Sequence, residues 1–323
     1  MTLNIGFQMD PLESLNIKDD TTLAIIEECL LRKFKVWHFL PKDVSYINGC
    51  VIAASKKILE INRNILPFFK TSDLNRIELK ELDFIFLRQD PPFDMSYITS
   101  TYLLEYIENQ VKIINKPSEV RNAPEKLFLN RWKSFTPETL ITKNIDEIYN
   151  FRKRHKKIIL KPLYGNGGNE VFYLGENDKN FSALLEVFHH SHQEQFILQE
   201  YLPNIEFGDK RIILINGKPE GAINRIPKKN EIRANLHVGG KASKTYISDK
   251  ELEICEKIGP ELNKRGLVLV GIDVIGDKLT EINVTSPTSI REIHRLSGID
   301  IAALTWDVIE TKHGSHATNG ISR

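Results

Sequence analysis

Leu269 to Ser289 reads LVGIDVIGDKLTEINVTSPTS, a strand-like run that carries Asp273, Glu281 and Asn283 and then stops in Thr-Ser-Pro-Thr. Hydrophobic strands rarely carry acids on an inner face, so this segment decides what surrounds it. Gly276-Asp277 is a turn signal, which makes Leu267 to Ile275 and Leu279 to Val284 the arms of a hairpin. Side chains alternate between faces, so register settles whether the acids meet. A two-residue turn pairs Ile275 with Lys278 and sends Glu281 to the face away from Asp273. One acid would then sit in the core, at a cost of several kcal/mol if ionised and unpaired. A three-residue turn, Gly276 to Lys278, pairs Asp273 with Glu281 and Gly271 with Asn283, leaves room beside Gly271 and exposes Lys278 in the loop. We expect the second register, with Ile272, Val274 and Ile282 on the packed side.

Two opposed carboxylates repel, so this register needs a cation between them. Hard oxygen donors suit Mg2+, which keeps waters and takes phosphate oxygens as its remaining ligands. The plain alternative is an acidic face that meets solvent, because one hairpin is a weak motif.

The 323 residues, 41% hydrophobic and 27% charged, are ordinary for a soluble globular protein of two or three domains. Lys+Arg 44 against Asp+Glu 43 leaves +1, so no global field points to nucleic acid or an anionic membrane. Apolar runs are strand-sized and MTLNIGFQMD has no basic leader, which makes a cytoplasmic protein the expectation. Cys29, Cys50 and Cys255 are far apart and outside any C-x-x-C pattern, against both a zinc site and a disulfide framework. HHSHQ from His189 and RKRHKK from Arg152 read as solvated helix ends.

Strands and helices alternate through residues 1–121: LNIGFQM, a helix near Thr21 to Lys33 capped by Asp19 or Asp20, KVWHFL, a hairpin at Asn48-Gly49, DFIFLR, a helix from Tyr97 to Asn109, and VKIIN. This predicts an α/β N-terminal domain with a mainly parallel sheet. Its first turn, FQMDPLES, is not a dinucleotide fingerprint. Residues 122–202 run from a NAPEKLF helix through IILKPL, the turn YGNGG, EVFYL and FILQEYLP. Residues 203–315 hold the hairpin RIILINGKPEGAINRIP, a polar connection, a helix from Asp249 to Arg265, the opening hairpin and two short helices. Hairpins with intervening helices make these two parts α+β, and 316–323 reads as a disordered tail.

Lys161 closes a strand before Gly165, Gly167 and Gly168, whose backbone N–H groups can approach a phosphate. It is not a P-loop, since G-K-[ST] is missing. Arg211 and Arg225 sit on the two arms of a hairpin turning at Asn216-Gly217 and present planar forks suited to anions.

In combination these segments resemble a known family, the ATP-grasp ligases, and within them the prokaryotic glutathione synthetases. The resemblance covers nearly the whole chain: MDPLESLNIKDD, RQDPPFD, NKP with EKLF, TPETL, IILKPL with GNGG, EYLP, GDKRIILING, NRIP, GGKAS, IGPELNKRGL, VGIDVIGD and LTEINVTSPTSIREI. It implies an ATP-grasp domain pair with a nucleotide cleft between two antiparallel sheets. It implies that Lys126 and Lys161 hold ATP phosphates beside Gly165, Gly167, Gly168 and Asp209, that Glu200, Tyr201 and Leu202 flank adenine, and that Asp273, Glu281 and Asn283 bind two Mg2+, with Mn2+ as substitute. Arg211, Arg225 and Arg233 would act in catalysis. Arg88, Gly240, Asn283, Ser286, Pro287 and Thr288 would bind substrate.

The implied reaction makes an acyl phosphate from γ-glutamylcysteine and ATP, which glycine then captures; no protein nucleophile is needed. An acyl phosphate hydrolyses in bulk water, so a lid is required, and Ile226 to Lys241 is the candidate. It departs from the family pattern by carrying Lys229, Asn230 and Ala234 where glycines are usual. A homo-oligomer, dimer or tetramer, is implied. Two rivals stay open: a different ATP-grasp carboxylate–amine ligase, and a nucleotide-binding regulatory module without turnover.

Overall fold

A computed structural model describes residues 2–317; of the expected tail, 318–323 lie outside the described residues. β1 (Asn4–Met9) leads into α1 (Thr21–Leu31), whose first turn is capped by Asp20 Oδ1 accepting the Leu23 N–H at 2.6 Å. There follow β2 (Lys35–Phe39), β3 (Val44–Ile47), β4 (Cys50–Ile61), β5 (Phe69–Thr71), β6 (Asn75–Glu78), β7 (Phe84–Arg88), α2 (Met95–Glu105), β8 (Lys112–Ile114) and α3 (Pro117–Asn122). Strands β2, β1, β7 and β8 are parallel, while β4 pairs antiparallel with β2 and carries β3, β5 and β6 in the same sense. The parallel expectation therefore holds only for the helical crossovers. Between β2 and β7 the chain contains hairpins, and a hairpin cannot make a parallel pair. Helix α2 starts two residues before the expected Tyr97, because Asp94 caps it through the Tyr97 N–H at 2.9 Å.

The middle unit contains β9 (Thr139–Thr142), α4 (Ile145–Arg154), β10 (Ile158–Pro162), β11 (Phe172–Leu174), α5 (Phe181–Ser191) and β12 (Phe196–Glu200), with antiparallel order β11-β10-β12-β9. Ile158, Leu160, Leu174, Phe196 and Leu198 pack on Ile148, Phe151, Leu185 and Phe188. The intervening Ile159, Lys161 and Gln199 point to the other side. Lys126 is not on a helix as expected. Helix α3 ends at Asn122 and residues 125–127 form a turn, because Pro124 offers no N–H and disfavours helical geometry at Ala123.

The last unit contains β13 (Asp209–Ile215), β14 (Lys218–Ile226), β15 (Lys241–Lys244), α6 (Asp249–Lys264), β16 (Leu269–Ile275), β17 (Lys278–Asn283), α7 (Ile290–Ser297) and α8 (Ile301–Ala317). Its sheet order is β15-β14-β13-β16-β17, antiparallel throughout. One face, including Ile212, Leu214, Val270, Ile272, Val274 and Ile282, packs with Ile254, Ile258 and Leu262 of α6. The other is apolar at one end only, where Ile213, Ile215 and Leu269 join Ile293, Trp306 and the N-terminal Phe7 and Phe86.

The hairpin opposes Asp273 to Glu281 and Gly271 to Asn283, as expected, but not through a three-residue turn. Ile275 pairs with Lys278 and Val274 with Leu279, so the turn has two residues and Lys278 belongs to β17. The register shifts between Val274 and Asp273, with Thr280 as the extra residue of a β-bulge. That bulge changes the parity which a two-residue turn alone would impose. Ile272→Ala is expected to lower the unfolding free energy by about 2–5 kcal/mol, and Thr280→Ala, whose hydroxyl donates to Asp273 O at 3.1 Å, by about 1 kcal/mol or less. Denaturation curves run side by side check this; equal losses would place the hairpin's stability in the bulge and not in its packed face.

Candidate active site

Paired residues of antiparallel neighbours share a face, so the registers Asp209↔Arg225, Arg211↔Asp273 and Asp273↔Glu281 gather these side chains on one side of the five-stranded sheet. The space beside Gly271 belongs to Arg211. A Cβ there would lie 3.0 Å from Arg211 Cδ, and the guanidinium passes across to Asp273, with Nε to Oδ1 at 2.5 Å and Nη2 to Oδ2 at 2.8 Å. Arg225 Nη2 reaches Asp273 Oδ2 at 3.0 Å and Asp209 Oδ2 at 2.5 Å. Glu281 has its own cation, Lys126 Nζ at 3.2 Å. The opposed acids are thus each neutralised by protein cations, where the expected register called for a cation between them.

Lys161 faces this group from β10, above the glycine loop, where Gly167 and Gly168 take φ of +62 and +82°. Lys126 Nζ also donates to Gly165 O. Together with Glu200, Tyr201, Leu202, Asp209, Asp273 and Glu281 they line one cleft between the two antiparallel sheets. Ile159, Val171, Ile205 and Ile275 supply apolar wall. Arg233 closes the top, held by Glu231 at 2.8 Å and donating to Gly168 O at 3.3 Å. A Cβ on Gly168 would stand 2.6 Å from Asn235 Oδ1, so the loop between β14 and β15 rests directly on the glycine loop.

The electrostatics are uneven. Burial pushes the Asp273 carboxyl up, but Arg211 and Arg225 overcome it and hold the group well below the usual range. Asp209 goes the other way, to about 6, through burial and the charge of Asp273. Its Oδ1 is buried with no partner among the described residues. Burial pushes Lys161 down to about 8.

Ser286, Pro287 and Thr288 follow β17 and meet the N-terminal domain, where Arg88 donates to Pro287 O at 3.1 Å and Thr22 Oγ1 at 2.9 Å. Gly240 lies in the loop itself: a Cβ there would meet Ala234 O at 2.0 Å, so its glycine serves loop packing. Asn283 Nδ2 donates to Gly271 O at 3.3 Å. Sequence reasoning missed Ile159 and Gln199, which the two-residue period from Lys161 would have found, and Thr280, Asn235 and Glu125, for which no local signal exists.

No group of three or more His, Cys, Asp or Glu side chains forms a metal cluster among the described residues. Asp273, Glu281 and Asn283 offer two carboxylates and an amide oxygen on one face. That set suits a hard cation which completes its shell with ligand phosphates and does not suit an all-protein cage.

Residues 3–121 match the family model for the prokaryotic glutathione synthetase N-terminal domain, and residues 125–298 that for its ATP-grasp domain. The chain is 48% identical to the glutathione synthetase of Agrobacterium fabrum over 96% of its length and 97% of the relative's. It is 42% identical to that of Buchnera aphidicola subsp. Baizongia pistaciae, covering 99% of both. Among solved structures, the D-cycloserine synthetase DcsG superposes with a TM-score of 0.68 at 12% identity, over 95% of this chain and 99% of that one. The ATP-grasp ligase PsnB gives 0.63 at 16%, over 96% and 99%.

The lowered Lys161 has a measurable consequence. Between about pH 8 and 10.5 the unfolded chain holds a proton on this group that the folded chain has released, so its contribution makes stability rise with pH across that window. A bound polyphosphate restores the charge. Its binding at about pH 9 is expected to take up close to one proton, by calorimetry in buffers of different ionisation enthalpy, and to lose that uptake in Lys161→Met. Uptake unchanged by the substitution would assign the proton elsewhere.

Proposed function

The chain belongs to the prokaryotic glutathione synthetase family of ATP-grasp ligases, and from that premise we propose that it joins γ-glutamylcysteine to glycine, giving glutathione, ADP and phosphate. The observation that carries this is the convergence, in one cleft, of Lys126, Lys161 and the glycine loop from one side with Asp209, Asp273 and Glu281 from the other, the last two acids sharing a face with Arg211 and Arg225 behind them.

Lys126 and Lys161 hold the phosphates of ATP, Glu200 to Leu202 flank the adenine at the junction of the two sheets, and Asp209 completes the nucleotide contacts. Asp273, Glu281 and Asn283 would hold Mg2+, two ions in our reading with Mn2+ as substitute; bound there, the metal supplies charge neutralisation at the phosphate oxygens. A carboxylate oxygen of the dipeptide attacks the γ-phosphorus and the bond to the β–γ bridging oxygen breaks. The glycine nitrogen then attacks the acyl carbon, phosphate leaves and the amine proton is lost. Arg211 and Arg225 keep N–H donors beyond those spent on Asp273 and Asp209, and these face the developing charge. Arg88 is buried and no carboxylate pairs with it among the described residues, which supports its reading as an anchor for a carboxylate of the dipeptide, beside the wall formed by Ser286, Pro287 and Thr288. The loop over Gly168 excludes water, with Gly240 shaping it and Arg233 closing it. We place the enzyme in the cytoplasm as a homo-oligomer; no helix among the described residues is long and apolar enough to cross a membrane.

Phosphate release from ATP and Mg2+ is expected to require γ-glutamylcysteine and glycine together, and equal release with either alone would sink the reading. Glu281→Gln should keep the fold and lose about a hundredfold in turnover at limiting Mg2+. Undiminished turnover there would remove Glu281 from the metal site. Arg233→Ala is expected to lower turnover about tenfold or more with nucleotide affinity changed by less than about threefold; parallel loss of both would show that the loop acts in binding and not in closure.

A further inference from the structure

The dipeptide Glu125-Lys126 lies in a turn, yet its two side chains serve different surfaces of the same strand. β17 is an edge strand of the five-stranded sheet, so the N–H groups facing away from β16 lack a strand partner. Ile282 donates its N–H to Glu125 O at 3.2 Å, and Val284 donates to Glu125 Oε1 at 3.2 Å. The same carboxylate oxygen accepts from the Thr285 hydroxyl at 2.8 Å and the Thr285 N–H at 3.4 Å. One residue thus satisfies the strand edge over residues 282–285 as a short piece of a sixth strand would. The adjacent Lys126 turns over the face of the sheet instead, to Glu281 and Gly165 O.

We infer that Glu125 is a positioning residue for the ligation: it sets the Lys126 ammonium against Glu281 and against the segment Ser286 to Thr288, so that phosphate, metal and substrate groups share one frame. This rests on the function proposed above and assigns Glu125 no contact with substrate. The carboxylate works here as an acceptor. Burial pushes its pKa up, and the nearby Glu281 adds to that, so a neutral amide with the same oxygen should replace it.

The test is a double-mutant cycle read by equilibrium binding of ATP with Mg2+, alongside kcat and KM for each substrate. Glu125→Ala is expected to weaken ATP binding about tenfold and to move the KM for glycine by less than about threefold. Glu125→Gln, which keeps the acceptor, is expected to stay within about threefold of the parent. In a Lys126→Met background the further loss from Glu125→Ala should shrink to less than about twofold, since the effect passes through the lysine. The same loss in both backgrounds, or an amide as damaging as the alanine, overturns the inference. Should Glu125→Ala fail to fold, Glu125→Asp, which withdraws the oxygen by one methylene, takes its place in the cycle. Binding reports on the clamp whether or not the ligase reading holds, because the requirement for both substrates is tested on the parent protein alone.

Discussion

A carboxylate on an interior strand of a sheet, 2% exposed, is tolerable only when its charge is met there. Asp273 is met twice, by Arg211 from the adjacent β13 and by Arg225 from the strand beyond. The cluster divides one face of the five-stranded sheet. Toward one end Ile213, Ile215 and Leu269 make an apolar floor against α7, α8 and the N-terminal sheet; toward the other, side chains at the same pleat positions carry charge. Removing one guanidinium would leave a buried charge poorly compensated, which costs far more than the pair itself contributes. The polar half of the face is therefore a unit.

The opposite wall is built on a different principle. The four-stranded sheet has its own core with α4 and α5, and presents a buried Lys161 that forms no ion pair among the described residues, with Glu281, Asp209 and Asp273 acting on it only from the facing sheet. A lysine with burial pushing its pKa to about 8 is a poor structural element and a good receptor for an anion. The cleft thus sets a compensated, rigid surface against an uncompensated one. Negative charge brought in by a ligand completes the second.

The N-terminal domain is tied to the last unit by polar contacts as well as by apolar packing. Asn115 donates from Nδ2 to Leu269 O and Val284 O, both at 2.8 Å, and accepts the Leu269 N–H at 2.9 Å. Arg88 reaches Pro287 O from the end of β7. These contacts flank β16 and the residues after β17. They hold the segment Ser286 to Thr288 in place although it has no regular structure of its own.

Much of this was legible in the residues alone. Alternation assigned the faces of the hairpin that carries Asp273, Glu281 and Asn283, Asp20 and Asn48-Gly49 marked a cap and a turn, and the combined motifs identified the family. Each is a local property, encoded within a few positions. The hairpin shows the limit: the sequence demanded that Asp273 meet Glu281, because the alternative buries an acid, but it did not say how. The chain used a two-residue turn and a bulge at Thr280, because bulges are set by the neighbouring strand and by what the bent strand must reach. The same holds for the partners of the acids. That Arg211 would fill the space at Gly271, that Lys126 would come from a turn to Glu281, and that Glu125 would cover the edge of β17 depend on residues up to about 160 positions apart. Periodicity reports which way a side chain points; only the packed sheet decides which side chain stands opposite.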